Sequence, residues 1–270
     1  GDFTITALAP DRFRLTASYS AQAMHMRWFE RQREGFDVTV RNLSDRVSGF
    51  QIAGPRARAL LERVAGPEAG ELGFLEARRL GIGNLDALVQ RLSYTGDLGY
   101  EIFVDLLEVR RLWQLLTEAG ADLGLAPFGM RAMMSLRLDR HFGSWLREYR
   151  PEYTPAETGL DRFIDFARAD RFIGGTAAVA ERERGPSRRL VMLEIDALDA
   201  DVWGDEPIWH DGAVVGFCTS GGWSHWQGCS MAFGFLPLAL AGGDPALEVE
   251  ILGERRPARI VPEPRFRPAP

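Results

Sequence analysis

The chain has 270 residues, length enough for two or three modest domains with their own cores, and its 46% hydrophobic and 26% charged residues are an ordinary globular balance. A net charge of −6 argues against a general nucleic-acid partner, and no run of eighteen apolar residues occurs that would read as a membrane-spanning helix. All 32 basic residues are arginine, which excludes any mechanism centred on a Schiff-base, P-loop or pyridoxal-phosphate lysine.

The sequence opens abruptly: Gly1-Asp2-Phe3-Thr4-Ile5-Thr6 begins on strand-like alternation, with no basic-then-apolar leader. It reads as the later part of something longer, and as a cytoplasmic protein. Residues 3–8 and 13–17 alternate around Ala9-Pro10-Asp11-Arg12 and predict a hairpin. Ser18 and Ser20 then offer caps to an amphipathic helix that carries His25 and ends near Gly35. A lone helical histidine with no second ligand beside it reads as a packing residue.

From Phe36 short strands alternate with short helices. Strands are predicted over 38–41, 47–52, 85–92 and 100–104, a helix over 55–64 with Pro55 at its first position, and a second from 106 to 118 ended by Gly120. The order suggests helices covering one face of an antiparallel or mixed sheet.

Between the last two strands lies Tyr94-Thr95-Gly96-Asp97-Leu98-Gly99-Tyr100-Glu101, where Gly96 and Gly99 are expected to supply positive φ to a tight loop. That loop aims the Tyr94 phenol and the Asp97 and Glu101 carboxylates. A carboxylate there either receives two parallel N–H donors from a flat heterocycle or belongs to a solvated hairpin tip.

Residues 128–140 form a helical pattern with Arg131 in the first turn and Arg137 near the end. Arg137 is expected to be a surface arginine in an ion pair of little worth. A cation at Arg131 is unfavourable against the helix dipole and calls for a carboxylate or an anionic ligand. Residues 152–160 read as loop, and a short helix ends near Arg184. After Gly185-Pro186-Ser187 the periodicity becomes almost purely two, through runs at 190–195, 208–210, 213–218, 229–235, 247–251 and 258–261, which predicts a small all-β sandwich or barrel. His210-Asp211-Gly212 is a hairpin tip. Cys218 and Cys229 form no paired C-x-x-C and are expected to be reduced, with no metal site.

Four ordered pieces resemble the folate-dependent aminomethyltransferases: Asp2-Phe3-Thr4-Ile5, Tyr94 to Glu101, Gly129-Met130-Arg131 with Leu136-Arg137-Leu138, and Tyr153 to Leu160 followed by Phe172-Ile173-Gly174. Val215-Gly216, Thr219-Ser220-Gly221-Gly222 and Ala232 continue the match. That family includes the T-protein of the glycine cleavage system and the C-terminal halves of dimethylglycine and sarcosine dehydrogenases or oxidases. The Trp145 segment and Asp205 to Gly212 resemble the dehydrogenase-type branch, in which a flavin domain precedes the folate domain.

The resemblance implies an α+β, multi-lobed aminomethyltransferase-like fold. Residues 1–35 and 121–184 would form a central lobe, 36–120 an incomplete ferredoxin-like lobe, and 185–270 a C-terminal β-barrel, with roughly the first quarter of the folate domain missing. It implies tetrahydrofolate as cofactor, with FAD only on a missing segment or a partner chain, since no G-x-G-x-x-G start is present. Carried over by position, Asp2 would sit beside the reactive folate nitrogens as the catalytic acid, while Tyr94, Glu101 and Arg131 would bind the pterin.

The implied activity passes a one-carbon group from an oxidised N-methylated amine, of the dimethylglycine or sarcosine kind, to tetrahydrofolate. The alternatives are a tetrahydrofolate-dependent demethylase of an S- or O-methyl donor, and a non-catalytic assembly module of a flavoprotein. Departures from the family pattern include Asp97, where glutamate is common, and Trp223 to Cys229, with Cys229 where lysine is frequent. His225, flanked there by Trp223-Ser224 and Trp226, reads equally as a ligand contact or as part of a surface loop.

Overall fold

Alternation sets the first elements of the computed structural model, which describes residues 1–267. The last three residues of the expected 185–270 domain lie outside the described residues. The chain divides into two units, Gly1–Gly129 and Met130–Phe266.

In the first unit, β1 (Thr4–Ala9) and β2 (Arg12–Thr16) form an antiparallel hairpin, and a short 3-10 turn leads into α1 (Gln22–Gln32). His25 is buried on α1, its ring 4.5 Å from that of Phe3, as expected of a packing residue. Next come β3 (Val47–Ala53), α2 (Ala57–Ala65), β4 (Ala77–Ile82), β5 (Leu85–Gln90), β6 (Gly99–Asp105) and α3 (Val109–Gly120). The four strands make an antiparallel sheet in the order β3-β6-β5-β4.

Period two divides this sheet cleanly. Ile52, Leu80, Ile82, Leu85, Ala87, Val89, Tyr100, Ile102 and Val104 enter one core with Leu60 and Leu61 of α2 and Leu112 and Leu116 of α3. Both helices therefore cover the same face. The opposite face carries Gln51, Gln90, Glu101 and Phe103.

Several local expectations are corrected. Residues 38–41 form no strand: Val38 is half exposed and the stretch has too few alternating apolar residues to bury. The strand β4 was hidden because Arg78 and Arg79 interrupt its apolar alternation, as charges on edge strands do. Gly120 is helical, and Gly124 takes the left-handed conformation after it. Helix α2 starts two residues beyond Pro55. Only Gly96 has positive φ (79°) in the Tyr94–Glu101 stretch. Gly99 is needed for space, since a Cβ there would lie 2.7 Å from the Ile52 carbonyl oxygen.

In the second unit, α4 (Met130–Leu136) runs into a 3-10 turn, then α5 (Pro155–Thr158) and α6 (Gly175–Arg184) follow. The expected loop at 152–160 contains α5 because Thr154 and Glu157 form a reciprocal capping box and Gly159 closes the turn at φ 73°. Strands β7 (Arg188–Ile195), β8 (Pro207–His210), β9 (Ala213–Ser224) and β10 (Cys229–Pro237), the short helix α7 (Leu238–Ala241), and strands β11 (Leu247–Ile251) and β12 (Glu254–Ile260) complete it.

The six strands close into a barrel in the order β10-β7-β12-β11-β8-β9, so no sheet edge is left open. Leu193, Ile195, Ile208, Cys218, Ala232, Val249 and Ile251 pack together in its interior. The β8–β9 turn at Asp211 (φ 48°) and Gly212 (φ 77°) is the anticipated hairpin tip.

Candidate functional site

Glu101 is placed by the sheet rather than by the loop before it. Because Tyr100 and Ile102 face the core, Glu101 points to the other face of β6, between its cross-strand partners Gln51 of β3 and Gln90 of β5. The β1–β2 hairpin contributes to the same face. Gln90 Nε2 donates to Thr6 Oγ1, and Arg14, directly opposite Thr6 in the hairpin, lays its guanidinium 3.9 Å from the Phe103 ring centroid.

The electrostatics follow from this burial. Desolvation pushes the Glu101 carboxyl above the usual carboxylate range, opposed by the charge of Arg14. Desolvation likewise lowers Arg14, opposed by Glu101 and reinforced by Arg79. Gln90 is buried, and its Oε1 has no hydrogen-bond partner among the described residues.

Asp2 stands two residues before β1, the strand that carries Thr6. Phe3 anchors it there by packing on His25 and, at 5.7 Å, on Phe29. Its side chain meets solvent, yet the protein packed around the carboxyl raises its pKa, with the N-terminal ammonium opposing. Tyr94 is half-buried in the loop between β5 and β6. In that loop Gln51 Nε2 donates to Ser93 Oγ (2.7 Å), Ser93 and Thr95 share a hydroxyl bond (2.9 Å), and Thr95 donates to Asp97 (2.9 Å). Asp97 is thus engaged in ordering the loop.

The structure therefore gathers Glu101 with Gln51, Gln90, Arg14 and Thr6, of which only Glu101 was anticipated. Their signal was present in phase: Gln51 between Phe50 and Ile52, and Gln90 at the end of Leu85–Val89, are polar residues at the non-core phase of buried strands.

Arg131 belongs to the second unit. It is exposed in the first turn of α4, where its guanidinium lies 5.1 Å from the Trp203 ring centroid, so an aromatic face lies beside it.

Arg137 is not a surface residue. It is fully buried, its Nη1 3.1 Å from Glu148 Oε2 and 2.8 Å from the Phe142 carbonyl, its Nη2 on Ser220 Oγ and its Nε on the Met134 carbonyl. The expectation failed because Glu148, its partner, lies in an aromatic-rich stretch that hid the pairing. A bulge in the β9–β10 ladder leaves Thr219 unpaired, so Thr219 and Ser220 both reach Glu148 Oε1, at 2.5 and 2.6 Å.

His225 lies exposed in the turn between β9 and β10, beside Trp226, which rests edge-on against Phe266. Cys218 and Cys229 are free thiols, both raised by burial. Among the described residues no group of His, Cys, Asp and Glu is arranged to hold a metal, and no helix is long and apolar enough to cross a membrane. Hollows beside α6, lined by Phe166 and Arg182, contain none of the four anticipated site residues.

Residues 1–168 match the GCVT N-terminal domain, and residues 188–266 match the glycine cleavage T-protein C-terminal barrel domain. The chain belongs to the glycine cleavage T-protein family. Among its relatives in that family is human mitochondrial dimethylglycine dehydrogenase, 33% identical over 267 residues, which cover 97% of this chain but 31% of that protein. The chain thus spans about a third of the length of the dehydrogenases it matches. An aminomethyltransferase of Desulfitobacterium hafniense is 28% identical over 97% of this chain and 71% of its own.

The crystal structure of glycine cleavage system aminomethyltransferase T from Bartonella henselae has the same fold, with TM-score 0.86 over 96% of this chain and 70% of that one, at 24% identity. The α+β arrangement and the closed barrel are those of this T-protein family.

Proposed function

We propose that this chain is the folate-binding, one-carbon-transferring part of an amine-oxidising system. Its substrate would be an oxidised N-methylated amine of the dimethylglycine or sarcosine type, and the flavin would be supplied by another segment or a partner chain. The observation that carries the reading is Glu101: a half-buried carboxylate with no ion pair inside 4.0 Å among the described residues, flanked by two glutamine amides.

The residues present fit a reduced pterin. A carboxylate accepts paired N–H donors from a 2-amino-4-oxo ring in a fork, and the orphaned Gln90 Oε1 beside it offers a further acceptor. Tyr94 would pack against the flat ring. Arg131 is proposed as a cofactor-binding residue from its place in Gly129-Met130-Arg131 and its exposed guanidinium. Tetrahydrofolate, when bound, supplies the nitrogens that accept the one-carbon unit. Asp2, whose pKa is raised, would relay a proton near those nitrogens and favour positive charge developing beside it.

The relatives named dimethylglycine dehydrogenase support the amine side of the reading. Titration calorimetry with tetrahydrofolate tests the folate side: micromolar or tighter binding is expected, and Glu101→Ala should abolish most of it. Unchanged affinity in that variant would sink the assignment. Product analysis tests the amine side, since 5-methyl rather than 5,10-methylene folate would mark a methyl-donor demethylase instead.

A further inference from the structure

The sheet and hairpin registers bring a cation to the candidate carboxylate that neither the resemblance nor the sequence singled out. Thr6 and Arg14 face each other across the hairpin, Thr6 is bonded to Gln90, and Gln90 is the cross-strand partner of Glu101. Arg14 is thereby set over Phe103, which shares the face of β6 with Glu101, two residues away.

The guanidinium rests on an aromatic plate rather than on a carboxylate, and among the described residues Arg14 and Glu101 form no ion pair within 4.0 Å. A half-buried cation and a half-buried anion on one face, coupled through space but not joined, leave the lone pairs of the anion available.

We propose that Arg14 is a positioning residue for the ligand-binding carboxylate: held flat on Phe103, it keeps Glu101 ionised and its oxygens available to paired N–H donors. A direct Arg14–Glu101 salt bridge would fill those oxygens; burial with no cation nearby would favour the protonated acid, which offers an O–H where the ligand also brings donors.

The charged groups bearing on this pair are few. Arg14 acts on Glu101, Arg79 of β4 acts on Arg14, and Asp86 of β5 ion-pairs with Arg79; Gln51, Gln90 and Thr6 are the neutral neighbours. The inference rests on the folate reading for the identity of the ligand, but the coupling of Arg14 to Glu101 is measurable without any ligand.

The experiment follows the Glu101 side-chain carboxyl by ¹³C NMR through a pH titration of the full chain, in the wild type and in Arg14→Met, Arg14→Lys and Phe103→Leu. Arg14→Met, which keeps the stem on the ring and removes the charge, should raise the Glu101 midpoint by roughly one pH unit. Arg14→Lys should restore most of it, and Phe103→Leu, which loosens the plate, should give a smaller rise. Tetrahydrofolate affinity against pH should then lose its acid limb at correspondingly higher pH in Arg14→Met, while converging on the wild-type value at alkaline pH.

A midpoint that does not move in Arg14→Met or Phe103→Leu overturns the coupling, as does an affinity loss equal at every pH. A midpoint that moves in Arg14→Met, together with a wild-type protein that binds no reduced folate, upholds the coupling and overturns the ligand assignment.

Discussion

Glu148 with Arg137 in the second unit and Glu101 with Arg14 in the first are both buried or half-buried carboxylates near an arginine, and the two pairs are built in opposite ways. In the second unit Glu148 is fully buried and receives four donors: Arg137 Nη1 at 3.1 Å, the Ser144 N–H at 2.7 Å, and the hydroxyls of Thr219 and Ser220. Four donors on two oxygens exhaust the acceptor capacity of a carboxylate. In the first unit Glu101 feels Arg14 through space, while Arg14 itself is held by a ring. The contrast teaches that satisfaction, more than burial, separates a structural carboxylate from one available to a ligand.

The largest effect that would break this comparison is in stability. Glu148→Ala leaves Arg137 buried without its counter-charge and should cost about 3–5 kcal/mol of folding free energy, read from urea unfolding. Replacing both partners, Arg137→Met with Glu148→Leu, should cost less than Glu148→Ala alone, because no uncompensated charge remains. If the double variant is the worse, the network does more than neutralise a buried charge.

Glu101 should behave in reverse. Glu101→Gln removes a partly desolvated charge that has no ion-pair partner, so unfolding free energy should stay level or rise slightly. Tetrahydrofolate affinity should fall by about 1.5–3 kcal/mol, roughly 10- to 150-fold, because an amide presents a donor where the ring also presents donors. A clear loss of stability with unchanged affinity would place Glu101 in the same structural class as Glu148.

Acid distinguishes the units further. His141 sits in left-handed backbone (φ 54°), its Nε2 buried without a hydrogen-bond partner among the described residues. Burial, with Arg265 and Arg140 nearby, lowers its pKa to about 4. The unfolded chain takes up this proton near pH 6.5 and the folded one only near 4, so stability falls as pH drops through that window, by about 2 kcal/mol at its end after allowance for partial solvent screening.

Glu101 has the opposite sign. Its folded pKa is raised, so it contributes a gain as pH falls through that value. His141→Asn, which tolerates the same backbone without titrating, should flatten the decline between pH 6.5 and 4.5. An unaltered decline would assign it to other groups.

How much of this was legible in the chain differs between the units for a physical reason. The C-terminal domain was readable as all-β because its short apolar runs are separated by glycine-bearing turns, but whether they form a sandwich or a closed barrel depends on strand tilt and stagger, which no single strand carries. The hairpin and the helix-covered sheet were readable on the same grounds. Arg137 was misjudged because a one-sequence reading sees its charge but not Glu148, nor the bulge that turns Thr219 and Ser220 to the same carboxylate. Glu101 was located by its motif, but Gln51, Gln90 and Arg14, which are 50, 11 and 87 positions away in the chain, come to its face only through strand register. Register is fixed by which face is buried, and that is known only once the helices have chosen a side.

The smallest expected effect tests whether recognition belongs to the strand or to the loop before it. Asp97 carries a carboxylate like Glu101 and lies in the same glycine-flanked stretch, but its carboxylate accepts from Thr95 Oγ1, which is linked through Ser93 to Gln51. Asp97→Asn keeps an acceptor for that hydroxyl, so loop order and tetrahydrofolate affinity should both hold, with stability inside about 0.5 kcal/mol and Kd inside roughly threefold by calorimetry. A tenfold loss would mean that the Asp97 charge itself is felt by the ligand, and the contrast between a saturated and an available carboxylate would then have to include the loop as well as the sheet.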